Sequence, residues 1–242
     1  NVSLRLEHSH RPRDIAARLA RGPEPSYLRD WVYGGIDGTV TTFAIMAGVV
    51  GADLSARVVL ILGVANLLAD GFSMAAANYS GTRAEIDEYE QIRRMEERHI
   101  ALEPEGEREE IRQIFHAKGF KGQTLEDAVD VITKRQERWV DTMMAEEHGS
   151  PRVSRSPLKA AAMTFLAFVV CGAVPILPYG LMLAEPLLAA VVMTGLTFFA
   201  IGSLRSHWSA TPWWRAGIET FAVGMAAAGV AYLVGNFLKN LV

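Results

Sequence analysis

The sequence predicts an all-α membrane protein with five transmembrane helices and a three-helix insert between the second and third spans. Three observations carry this prediction. Apolar stretches of spanning length recur at about 32–52, 57–79, 159–178, 183–204 and 215–238 of the 242 residues, and about 20 helical residues cross a hydrocarbon core of roughly 30 Å. Charged residues form 21% of the chain but crowd into 1–30 and 80–159, while 160–201 holds only Glu185 and 216–238 only Glu219. Two carboxylates, Asp37 and Asp70, nevertheless lie inside the first two spans, where a bare charge costs about 2.5–3.5 kcal/mol on insertion scales.

Composition excludes several classes. The single Cys171 rules out an internal disulfide framework and a Cys-based zinc site. Residues 1–29 contain no apolar core of a secretory signal, and a start at Asn1 suggests trimming. HExxH, Walker A and GxSxG patterns are absent, so no enzyme is expected. Nor is a nucleic-acid partner.

Residues 1–29 read as a cytoplasmic segment in which 12–21 form a short basic amphipathic helix, its apolar side marked by Ile15 and Leu19. Spans one and two occupy 30–79. In the first, Asp30 and Asp37 are seven residues apart and share a helix face at different depths. Gly34 and Gly38 form a small-xxx-small pair that permits close helix approach and, by inference, dimerisation. The second span aligns Asn66, Asp70, Met74 and Asn78 at successive four-residue steps. Facing Asp37, this stripe offers oxygen ligands and one soft sulfur, a mixture suited to a first-row transition ion. Met74 alone would read as lipid-facing or core packing, and its place on the stripe brings the ligand reading level with that.

The insert, 80–156, is too charged to span a membrane. Its helices are expected at 80–101 behind Ser80, at 104–118 with Pro104 near the start and Gly119 beyond the end, and at about 124–148. Glu96 and His99 are three apart, as are Glu107 and Glu110, so each pair can converge on one ion. Met143, Met144 and Glu147 add two thioethers and a carboxylate. By spacing alone a Glu-rich helix is more often a solvated face, and Met pairs more often pack.

Residues 157–242 supply spans three to five. Arg5, Arg11, Arg13, Arg18, Arg21 and Arg29 precede the first span, the 179–186 loop has no basic residue, and the loop before the fifth span has Arg205 and Arg215 beside Trp208, Trp213 and Trp214. The positive-inside rule then places the N-terminus and the insert in the cytoplasm and the C-terminus outside. Glu219 falls near the inner end of the fifth span, where it either handles ions or protons or snorkels.

RDWVYGGIDGTVTTFAIMAGVVGA, ANLLADGFSMAAANY, CGAVPILPY and MMAEEHG together resemble the vacuolar iron transporter family from Tyr27 onward. The resemblance implies a homodimeric, proton-coupled transporter that takes Fe²⁺ out of the cytosol, with no permanently bound cofactor. Asp30, Asp37 and Met74 would line a path between protomers. Asp70 and Asn66 depart from plant members, Asn66 standing for an acidic residue, and a relocated proton route follows. Glu96, Glu107, Glu110, Met143, Met144 and Glu147 would bind metal in the insert, with His99 where a glutamate is expected; Mn²⁺, Zn²⁺ and Co²⁺ are further candidates there. A segment of 29 residues cannot hold the ferritin-like domain of some bacterial relatives, so a stand-alone transporter in a bacterial inner membrane is expected. The rivals are a membrane-anchored metal sensor and a Mn²⁺-selective exporter.

Overall fold

The computed structural model describes residues 9–22, 25–150, 155–208, 211–239 and 241. Arg5, residues 151–154 of the expected insert and the side chain of Trp208 lie outside the described residues. The chain divides into two compact units, residues 1–80 with 154–242, and residues 81–153.

In the first unit, α1 (Pro12–Arg21) begins with Pro at its first turn, ends at the left-handed Gly22, and buries none of its residues. This is the helix the sequence places at 12–21. The spanning helix α2 (Leu28–Gly51) follows. It carries glycines where neighbouring backbones press on it. A Cβ at Gly34 would lie 2.5 Å from the Thr164 carbonyl oxygen, and one at Gly38 would strike that of Phe168. Both belong to α7 (Pro157–Gly172), so the small-residue face is filled within the protomer. That corrects the expectation of dimerisation through it.

The helix α3 (Ala56–Leu102) contributes residues 56–80 to this unit, with Val59, Leu67 and Ala75 buried. No helix starts at Ser80, contrary to expectation. Its neighbours Asn78, Tyr79, Gly81 and Thr82 are weak helix formers, yet α3 continues through them between the stronger runs at 75–77 and 83–102. The third expected span, 159–178, is also shorter: α7 has 16 residues. Pro175 cannot continue a helix, and only the short α8 (Leu177–Gly180) follows. The last two helices, α9 (Pro186–Arg205) and α10 (Trp213–Lys239), pack on α2 and on each other. Among the described residues α2, α3, α9 and α10 are the helices long and apolar enough to cross a membrane. Phe43, Met46, Phe168 and Phe198 form the centre of this unit's core.

The second unit joins the end of α3 to α4 (Pro104–Ala117), α5 (Gly122–Thr133) and α6 (Gln136–Glu146). Pro104 opens α4, and Gly119 takes a φ of 98° just past its end. The single helix expected at 124–148 is two, with Arg135 extended at the break. No glycine or proline marks it. Instead Arg108 ties Asp130 and Thr133 to α4, and Arg138 donates to the Val131 carbonyl at 2.7 Å, satisfying the end of α5. Ile111, Leu125, Val129, Trp139, Val140, Met143 and Met144 bury together as this unit's core.

Candidate functional site

Each unit brings together one constellation of chemically capable side chains. In the first, the start of α2 turns Asp30 inward, 6% exposed. Nη2 of Arg155 donates to both its oxygens at 2.6 Å, and Asn78 of α3 donates to Oδ1 at 2.9 Å. Asn78 also donates to Thr164 Oγ1 at 2.7 Å, while the Ser156 amide donates to the Tyr27 hydroxyl at 2.9 Å. Asp30 is thus a clamp between α2, α3 and the start of α7. Sequence reasoning found the carboxylate and missed the arginine that neutralises it.

Two turns further along, Asp37 is partly buried, and its charge and that of Asp70 repel one another. Thr41 donates to the Asp37 carbonyl at 2.9 Å, and Asn66 donates to the hydroxyls of Thr41 and Thr42 at 3.2 and 3.4 Å. Asn66 of the α3 stripe thus lies against the turn of α2 that follows Asp37. Among the described residues neither the Asp37 nor the Asp70 carboxylate has an ion-pair or hydrogen-bonding partner. Uncompensated acids in an apolar bundle favour a cation or a proton between them. Met74, half-buried, packs against the core of the unit.

Glu219 does not share this situation. Arg205 meets its carboxylate at 2.8 Å and Arg215 at 3.5 Å.

In the second unit α3 presents Glu96, 2% exposed, and α4 presents Glu107, 6% exposed. Among the described residues, the buried Oε2 atoms of both have no hydrogen-bond partner in the structure. Leaving such atoms unpaired is costly, so the pocket suits a proton or a cation. Glu96, His99 and Glu107 bring ligand atoms within 4.8 Å of one another, with His99 Nδ1 at 3.4 Å from Glu107 Oε1. Burial first, then the charges of Glu110, Glu96 and Glu147, push the Glu107 carboxyl up to about 7. Burial and Glu110 also raise Glu147. The predicted acids Glu96, Glu107, Glu110 and Glu147 and His99 thus share one electrostatic neighbourhood.

Met143 and Met144 are almost fully buried in the core of this unit. The residue that sequence reasoning passed over is His148, whose Nε2 lies 2.9 Å from Glu96 Oε1 and 3.8 Å from Glu147 Oε2. Its signal was adjacency, a histidine directly after Glu147 and before the left-handed Gly149 that turns the chain back.

Residues 28–236 match the model of the VIT family. The chain is similar to vacuolar iron transporter 1 of Arabidopsis thaliana, at 29% identity over 88% of this chain and 86% of that protein. It is 33% identical to a vacuolar iron transporter of Toxoplasma gondii over 89% and 76% of the two chains. A Plasmodium falciparum vacuolar iron transporter is 28% identical over 88% and 82%.

Proposed function

The chain belongs to the VIT family, a family of transporters and not of enzymes, and from that premise we propose that it carries Fe²⁺ out of the cytosol in exchange for protons. The observation that carries this reading is the pair Asp37 and Asp70, on neighbouring spanning helices and, among the described residues, without a counter-cation. A divalent ion neutralises such a pair, and protons neutralise it once the ion leaves, so neither state exposes bare charge in the membrane. Met74 and Asn66 flank the pair on the same stripe.

The proposal extends to a five-span protein of a bacterial inner membrane, with α7 as the short third span and the N-terminus and insert cytoplasmic. It also includes a homodimer. With the glycine face of α2 filled by α7, the exposed flank of α3 beside Asp70, including Leu68 and Phe72, is the surface left for a second copy. Asp30 enters the path only if Arg155 lets go of it. Glu219, held by two arginines, is an accessory carboxylate. The insert gathers cytosolic metal through its buried acids.

Acid-loaded proteoliposomes test this directly. Fe²⁺ uptake coupled to proton efflux is expected, and Asp37→Ala should reduce it by about tenfold or more, the range for loss of a group that handles charge in the rate-limiting state. Undiminished flux in that variant overturns the assignment of the path. A Mn²⁺-selective exporter would show the same pattern with the two metals exchanged, since oxygen and nitrogen ligands separate them weakly. Flux of neither metal through the wild-type protein favours a membrane-anchored sensor.

A further inference from the structure

We propose that His148 is a metal ligand, and that with Glu96 and Glu147 it forms a mixed nitrogen and oxygen site favouring later first-row ions over Mn²⁺. The proposal rests on the reading that the insert binds metal. It adds a donor type and a selectivity.

Geometry comes first. Ligands about 2.1 Å from a metal stand about 3.0 Å apart along an octahedral edge and about 3.4 Å apart along a tetrahedral one. The observed separations, 2.9 Å from His148 Nε2 to Glu96 Oε1 and 3.8 Å from Nε2 to Glu147 Oε2, bracket both values. All three ligand atoms lie within 4.8 Å of one another, so small side-chain adjustments suffice. Nε2 faces Glu96 and is the atom that would bind.

The second observation concerns a ligand of the site, Glu96 itself. Glu96 is 2% exposed, and its Oε2 has no hydrogen-bond donor although Oε1 is paired with His148. A protein core seldom keeps a carboxylate oxygen unpaired without a use for it.

Local structure explains why His148 is held there. It follows the last turn of α6, with its amide directed to the Met143 carbonyl, and the Ser150 amide closes on Met144 after Gly149 takes a φ of 59°. That turn fixes the imidazole over α3 instead of leaving it on a free tail. Its chemistry sets the consequence. An imidazole donor raises affinity along the order Mn²⁺, Fe²⁺, Co²⁺ more steeply than carboxylates alone.

The test uses the full-length protein loaded with Mn²⁺ at one equivalent, read by electron spin-echo envelope modulation. A His99→Gln background removes the other nearby imidazole. Nitrogen-14 modulation should persist in that background and vanish in the His99→Gln/His148→Gln protein. Glutamine still donates to Glu96, so folding is preserved, and circular dichroism verifies it. The Co²⁺ to Mn²⁺ affinity ratio should fall by about tenfold with His148→Gln, the size expected for loss of a nitrogen donor from such a site. Bound Mn²⁺ without nitrogen modulation in the His99→Gln protein, or modulation that survives removal of His148, overturns the proposal while the metal-binding reading stands. Wild-type protein that binds no metal sensitive to Glu96→Gln overturns both.

Discussion

Burial and neighbouring carboxylates push the Glu107 carboxyl up to about 7, whereas an unfolded chain releases that proton near 4.5. The folded insert therefore holds the extra proton between these values. This contribution to stability is fully present below about 4.5 and is lost as pH rises through about 7. Hydrogen exchange of α4 amides in metal-free protein should show an opening free energy that falls by roughly 1–3 kcal/mol from about pH 5 to about pH 8. Glu107→Gln should flatten the profile, and a profile equally steep in that variant would refute the assignment. Metal and proton compete for the same oxygens, so apparent affinity at the insert should fall as pH drops below about 7. Asp30 illustrates the opposite case, a buried acid already paired. Arg155→Ala strands it and should cost about 3–5 kcal/mol, whereas Asp30→Asn with Arg155→Met removes both charges and should recover much of the loss. Thermal unfolding in detergent distinguishes them.

At the scale of elements, glycine contacts govern how closely α2 and α7 approach. Gly38→Ala directs a methyl group at the Phe168 carbonyl and should destabilise the bundle by about 1–3 kcal/mol. Because α7 fills that face, the oligomeric state on size exclusion should not change. Met143 and Met144 call for a different substitution than their chemistry alone suggests. Alanine would open a cavity in the insert core, so leucine, which keeps the volume, is the informative replacement. If either sulfur is a ligand, metal affinity falls in Met143→Leu or Met144→Leu with the fold intact, as isothermal titration would measure. Much of this layer was legible in the sequence, because Pro12, Pro104, Pro157 and Pro186 each stand in a helix's first turn. The break between α5 and α6 was not, since tertiary arginine contacts make it and no local breaker does. The partners of the sites were hidden for a related reason. Arg155 lies 125 residues from Asp30 and His148 lies 52 from Glu96, separations at which no periodicity operates.

At the scale of the whole molecule the chain divides into two compact units, and the function proposed above gives them different kinetic duties. On the path proposed above, each transported ion is dehydrated and neutralised at Asp37 and Asp70, so their loss acts on the maximal rate. The acids around Glu96 belong to an ion-paired helical unit with its own core, which on the same reading collects metal, so their loss acts on how much metal is captured at low concentration. Glu96→Gln should therefore raise the metal concentration for half-maximal flux by about tenfold and leave the maximum within about twofold, the signature of lost uniform binding. Asp37→Ala should do the reverse. Sites that act independently combine additively in free energy, so two independent duties give a double variant with the product of the two effects. Flux measured across a range of Fe²⁺ concentrations in one set of proteoliposomes resolves all four proteins. Should Glu96→Gln depress the maximum as Asp37→Ala does, with the double variant no worse than either, the two constellations would be parts of a single path, and the insert would be an obligatory step in transport instead of a collector for it.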